Sequence, residues 1–146
     1  MGINNKKGIT VTSIVVYVIL FFMFTTITSI ISSRFNENLF NDRGMAINIT
    51  EFNKLEYNLL ESASNSYNAT YETEENITTI TFSNSDEYVF DKENQIIYKN
   101  GGKLIKHVKD YTIITNEALL SIDLLLNKYT NQVERNININ ILIKES

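Results

Sequence analysis

The chain has 146 residues, a formal net charge of −4 and 43% hydrophobic residues, with no cysteine, proline or tryptophan. That length is enough for one small domain plus an anchor, and the acidic balance argues against tight nonspecific binding to nucleic acid. With no thiol, the chain has neither a disulfide framework nor cysteine chemistry.

Residues 1–8 form a short basic head ending in Lys6-Lys7-Gly8. From Ile9 to Ile31 the chain carries no charge, no Gly and no Pro. A bilayer core of about 30 Å needs roughly 20 apolar residues in a helix, so residues 9–33 read as a transmembrane helix. Lys6 and Lys7 precede the run and Arg34 is the first charge after it. This asymmetry predicts a cytoplasmic N-terminus and an exported C-terminal part. The run is longer than the about 7–15 apolar residues of a signal peptide, and no small-residue cleavage pattern closes it.

The order Lys6-Lys7-Gly8-Ile9, followed by Thr10-Val11-Thr12-Ser13 and the apolar run, resembles the class III leader of type IV pilins and pseudopilins. The resemblance implies a prepilin peptidase that cuts between Gly8 and Ile9. Ile9 then becomes the N-terminus, open to N-methylation, and the apolar helix stays on the mature chain. Two positions depart from the family: Ile9 stands where Phe or Met is usual, and Ser13 stands at the fifth mature position, where the family carries Glu. The family's Glu meets the N-terminal amine of the next subunit, and a carboxylate at that depth is costly unless paired. Ser13 therefore implies a minor subunit, in a special place such as the filament tip. A plain single-pass anchor in which Gly8 has no special role is the competing reading.

Residues 34–47 are polar, rich in Asn and interrupted by Gly44, and read as a linker or as a continuation of the helix. Asn48 with Glu51 has the spacing of a capping box. Phe52, Leu55, Leu59 and Ala63 then recur at three and four, which predicts an amphipathic helix with one stripe to bury.

Strand signals follow at 77–82, 87–90 and 95–98, with a hairpin loop at 91–94 and a tight turn at Asn100-Gly101-Gly102. Further strands are expected at 103–108, 111–115 and 120–124, and a polar loop at 127–132. Asn136 to Ile143 gives the cleanest period-two pattern in the chain, with Ile137, Ile139, Ile141 and Ile143 on one face. The fold class expected is α+β: an N-terminal transmembrane helix, then an amphipathic helix packed on a C-terminal antiparallel sheet over residues 48–146.

That layout, too, resembles the minor pseudopilins of Gram-positive competence and type II secretion systems. Abundant Asn, Ile and Lys point the same way, to an AT-rich genome such as that of a low-GC Gram-positive bacterium. The resemblance implies assembly rather than catalysis, through packing of the N-terminal helix against other pilins. The partners implied are those pilins, the prepilin peptidase and the cytoplasmic membrane. After assembly the subunit would belong to a surface pilus or pseudopilus serving DNA uptake, secretion or adhesion.

No cofactor or metal is expected. The single His107 lacks a ligand set for zinc, no serine sits in a triad context and no Gly-rich phosphate loop is present. Asn84 to Glu87 supplies oxygen ligands without EF-hand spacing. Lys99, Lys103, Lys106 and Lys109 gather with His107 around the Gly101-Gly102 turn. As a functional patch they would contact DNA phosphates; as a solvated hairpin they discourage edge pairing, and the second reading is preferred. Three N-glycosylation patterns, at Asn48, Asn68 and Asn76, are expected by-products of Asn and Thr abundance.

Overall fold

The computed structural model describes residues 4–129 and 131–145. The chain divides into two compact units, Met1–Phe40 and Asn41–Ser146. One helix, α1 (Asn4–Ser64), runs unbroken from the first into the second. Among the described residues nine strands follow: β1 (Asn68–Glu74), β2 (Ile77–Phe82), β3 (Glu87–Asp91), β4 (Ile96–Lys99), β5 (Gly102–Lys106), β6 (Val108–Asn116), β7 (Leu119–Lys128), β8 (Asn131–Asn140) and β9 (Leu142–Glu145). A long apolar helix followed by a sheet-rich domain is an α+β arrangement, as the sequence pattern predicts.

Residues 34–47 continue the helix, one of the two readings their sequence allows, whereas Asn48 departs from expectation: it lies inside α1 rather than capping a second helix. Its side chain is buried and its Nδ2 donates to the Asn131 carbonyl at 3.0 Å, while the Glu51 carboxylate takes the Lys106 N–H at 3.2 Å. Both residues serve strands instead of a helix end. Gly44 costs about 1 kcal/mol of helix propensity relative to Ala. Its role is spatial: a Cβ there would stand 2.9 Å from the Lys128 carbonyl oxygen and 3.1 Å from the Tyr129 ring.

Strands β5-β4-β3-β2-β1-β9 form one sheet and β6-β7-β8 another. The pairs are antiparallel except β1 with β9, which run parallel with Asn68 opposite Leu142. The β1–β2 turn is Glu75-Asn76, with Glu75 at φ 46°, and the β4–β5 turn is Asn100-Gly101 at φ 51° and 76°. Positive φ at both central residues is what a type I′ hairpin turn demands, and Asn100-Gly101 meets it.

Four corrections concern the strands. β1 forms from Asn-Ala-Thr-Tyr-Glu-Thr-Glu, a stretch without a strong strand pattern. The expected loop at 127–132 contracts, because β7 reaches Lys128 and β8 starts at Asn131. The alternating Asn-Ile run is not one strand: it breaks at Ile141, whose N–H bonds Ala118, and β9 then joins the other sheet. His107, expected within a strand, is a corner at φ 65° between β5 and β6.

The core sits between α1 and the inner faces of both sheets. Phe52, Leu55 and Leu59 of α1 meet Ile80, Phe82, Tyr88, Phe90, Ile97 and Ile105 from the six-stranded sheet. Leu120, Ile122, Leu124, Leu126, Ile137 and Ile139 close it from the three-stranded sheet. α1 also closes the edge of β5: Lys54 Nζ donates to the Leu104 carbonyl at 2.8 Å, and Glu51 holds Lys106 N–H. An edge strand so capped is a poor template for further pairing.

Candidate functional site

Among the described residues, the first part of α1 carries a long run of exposed large hydrophobic side chains. Every residue from Thr10 to Phe40 is exposed, including Tyr17, Phe21, Phe22 and Phe24 at 64–72%. An 18-residue window within Thr10–Ser64 reaches a mean hydropathy of 2.5, and none of it is buried inside the protein. The helix is long and apolar enough to cross a membrane. Three of its hydroxyls bond back to the helix: Thr25 donates to Phe21 and Phe22 carbonyls, Thr26 to Phe22 and Thr28 to Phe24, at 2.8–3.0 Å. Such back-bonding hides the polarity of these threonines within the helix.

Gly8, Ile9, Lys6 and Lys7 lie in the first turns of α1, and the side chains of residues 4–9 fall outside the described set. Residues 1–3 of the expected leader are likewise outside it. Ser13 is exposed on the helix.

The lysines expected around the Gly101-Gly102 turn do not form one patch. Lys99 is half-buried: its Nζ donates to Asn58 Oδ1 at 3.2 Å, faces Asp86 at 3.7 Å and stands 5.5 Å over the Tyr88 ring. It ties α1 to β4. Lys103 and Lys106 are exposed on β5, opposite Tyr98 and Ile96, while Lys109 sits at a register shift in β6, in the other sheet. His107 is partly buried, and burial first, then Lys128 and Lys106, push its pKa below the usual value, with Glu51 opposing.

A polar cluster not anticipated from the sequence joins α1 to the six-stranded sheet. Ser62 Oγ donates to Asp86 Oδ2 at 2.6 Å and lies 2.8 Å from the Tyr88 hydroxyl; Asn100 Nδ2 and Asn84 Nδ2 also donate to Asp86 at 3.0 and 3.1 Å. The Ser62 hydroxyl, above all, and Asn100 hold the Asp86 carboxyl below its usual pKa against the opposing effect of burial. Those contacts occupy the carboxylate of the Asn84–Glu87 loop, the stretch with oxygen ligands. Among the described residues no group of three or more His, Cys, Asp or Glu is placed to hold a metal. A small cavity of about 130 Å³ on the three-stranded sheet is lined by Asp110, Thr112, Asp123, Leu125 and Glu134 among others. Asp110 there is paired with Lys92 at 2.7 Å, and Asp123 accepts from Asn136 at 2.7 Å.

Two glycosylation-pattern asparagines, Asn48 and Asn68, are buried at 1% and 9% exposure, so neither side chain is presented for modification. Compared with family models, with curated proteins and with solved structures, the chain matches none.

Proposed function

We propose that this chain is a minor type IV pilin-like subunit: cut after Gly8, held in the cytoplasmic membrane by residues 9–33, and assembled through that helix into a pilus or pseudopilus. The observation that carries the reading is the unbroken α1, whose first part is apolar and wholly exposed and whose last part is built into the core of the β-domain. A helix surface that faces lipid can equally face other apolar helices. The role is assembly, not catalysis. The β-domain lies outside the membrane, opposite the cytoplasmic lysines Lys6 and Lys7.

The test is the intact mass and N-terminal sequence of the protein made together with a prepilin peptidase, beside Gly8→Ala. A mature chain beginning at Ile9, absent from the Gly8→Ala sample, supports the proposal. An uncut N-terminus in both removes it and leaves a single-pass membrane protein with an exported α+β domain that binds a ligand or partner.

A further inference from the structure

Asn100 is the one asparagine in the sequence that is followed by glycine. With Gly101 it forms the β4–β5 turn, at φ 51° and 76°, and both residues are exposed. A Cβ at Gly101 would meet nothing within 4 Å, so no neighbour crowds the turn there. Asn100 itself is tied down. Its N–H donates to the Glu87 carbonyl at 2.8 Å, and its Oδ1 accepts the Glu87 N–H at 2.7 Å. Its Nδ2 donates to Asp86 Oδ1 at 3.0 Å. Through Asp86 the side chain joins the Ser62–Tyr88 contact that fastens α1 to the six-stranded sheet. An exposed turn residue is thus built into the junction between helix and sheet.

An asparagine before glycine has a reaction of its own. The Gly101 backbone nitrogen attacks Asn100 Cγ, and the new N–Cγ bond closes a succinimide ring. The Cγ–Nδ2 bond breaks, and ammonia leaves carrying the proton of the attacking N–H. Water then opens the ring at either carbonyl, so the net change is amide plus water to aspartate or isoaspartate plus ammonia. Glycine favours this step because it has no side chain and few forbidden dihedrals. The reacting atoms must also come into near contact and alignment. In the fold both ends of the Asn100 amide are held by Asp86 and Glu87 instead, and the two-residue turn fixes the dihedrals that ring closure would have to change.

We propose that Asn100-Gly101 is a conformation-gated modification site: the closed junction keeps the asparagine intact, an opened junction releases it to conversion, and the converted chain forms a weaker junction. Aspartate would put a carboxylate oxygen where Nδ2 now donates, 3.0 Å from Asp86 Oδ1. Two carboxylates so close cannot both ionise without cost. Lys99, the cation at this site, already faces Asp86 at 3.7 Å and donates to Asn58 at 3.2 Å. Isoaspartate would add a backbone carbon to a turn whose strands pair Lys99 with Gly102. Either product makes an opening event irreversible, because the chain is chemically changed before it closes again. The inference rests on the β-domain alone and stands apart from how the N-terminal helix is used.

Peptide mapping of the full chain in detergent micelles tests it, after incubation in mildly alkaline buffer with and without urea. A glutamate-specific digest keeps Asn100 and Gly101 in one peptide, and electron-transfer fragmentation there separates asparagine, aspartate and isoaspartate. With two side-chain hydrogen bonds to break, one of them to a carboxylate, conversion in the folded chain should be at least about thirtyfold slower than in urea. Asp86→Ala frees the Nδ2 end, so its folded form should convert at least about tenfold faster than folded wild type, with an unchanged rate in urea. Asn100→Asp isolates the consequence. Its unfolding midpoint should fall below the wild-type value at neutral pH, and the gap should close below about pH 4, where carboxylates protonate. If Asp86→Ala does not fold, the wild-type rates and Asn100→Asp decide the matter. Equal rates with and without urea, no conversion in urea, a folded Asp86→Ala no faster than wild type, or a wild-type midpoint in Asn100→Asp at neutral pH overturns the inference.

Discussion

The Ser62 hydroxyl and the Tyr88 phenol lie 2.8 Å apart across the boundary between helix and sheet, and neither residue is exposed. Asp86 completes the junction by accepting from Ser62 at 2.6 Å. A depressed carboxylate pKa stabilises the fold at every pH above the unfolded value, here 3.8, and that contribution is lost as pH falls through the folded value. Urea unfolding of the full chain in micelles should therefore show stability falling below about pH 4, with a shallower fall in Asp86→Asn. An unchanged acid profile in that variant would mean the junction does not sense the carboxylate.

The same junction predicts an asymmetry between its two hydroxyls. Ser62→Ala leaves the buried Tyr88 hydroxyl without this partner and removes one donor from Asp86, at a cost of about 1–3 kcal/mol. Tyr88→Phe leaves Ser62 still donating to Asp86 and should cost only about 1 kcal/mol. Burial pushes the Tyr88 phenol above its usual pKa, so an alkaline ultraviolet titration of the wild type should show a late-ionising phenol that Tyr88→Phe removes. Equal costs for the two substitutions would count against Ser62 as the centre of the network.

Gly44 supplies a third case, in which helix propensity and packing oppose each other. Gly44→Ala gains about 1 kcal/mol of intrinsic propensity, yet its Cβ would meet a backbone oxygen at 2.9 Å and a ring carbon at 3.1 Å. Overpacking typically costs about 1–3 kcal/mol, and a backbone oxygen has little room to yield. The substitution should therefore lower the unfolding midpoint. If it raised the midpoint, the approach of Lys128 and Tyr129 to the helix would be looser than the structure has it.

What the sequence revealed and what it hid divide along the range of the interactions involved. The buried stripe Phe52, Leu55, Leu59 and the Asn-Gly turn at Asn100 are set by periodicity and local backbone preference, and both were legible. Asn48 and Glu51 carry the letters of a helix cap, but partners 83 and 55 residues away decide their roles. The β1 strand was hidden because its pairing with β2 and β9 supplies what its polar composition does not. The Asn-Ile alternation was legible as extended chain, but its passage between sheets at Ile141 depends on bonds to Glu117 and Ala118.

Membrane insertion makes the last prediction, and it separates the two halves of α1 by chemistry. Leu20 and Phe24 are exposed near the middle of the apolar run, and an arginine at the centre of a spanning helix costs about 2.5–3.5 kcal/mol. Leu20→Arg/Phe24→Arg should thus weaken insertion by roughly 5–7 kcal/mol if the two costs add, releasing much of the protein on alkaline carbonate extraction of membranes. Thr26→Ala is the matched control: the hydroxyl it removes already bonds the Phe22 carbonyl at 2.8 Å, so its loss exposes no new polar group and extraction should not change. The β-domain is a second control, because its core residues lie far along the chain and its unfolding midpoint should stay put in both variants. If the doubly charged variant remained as firmly integrated as the wild type, the apolar run would not be the segment that holds this protein in the membrane.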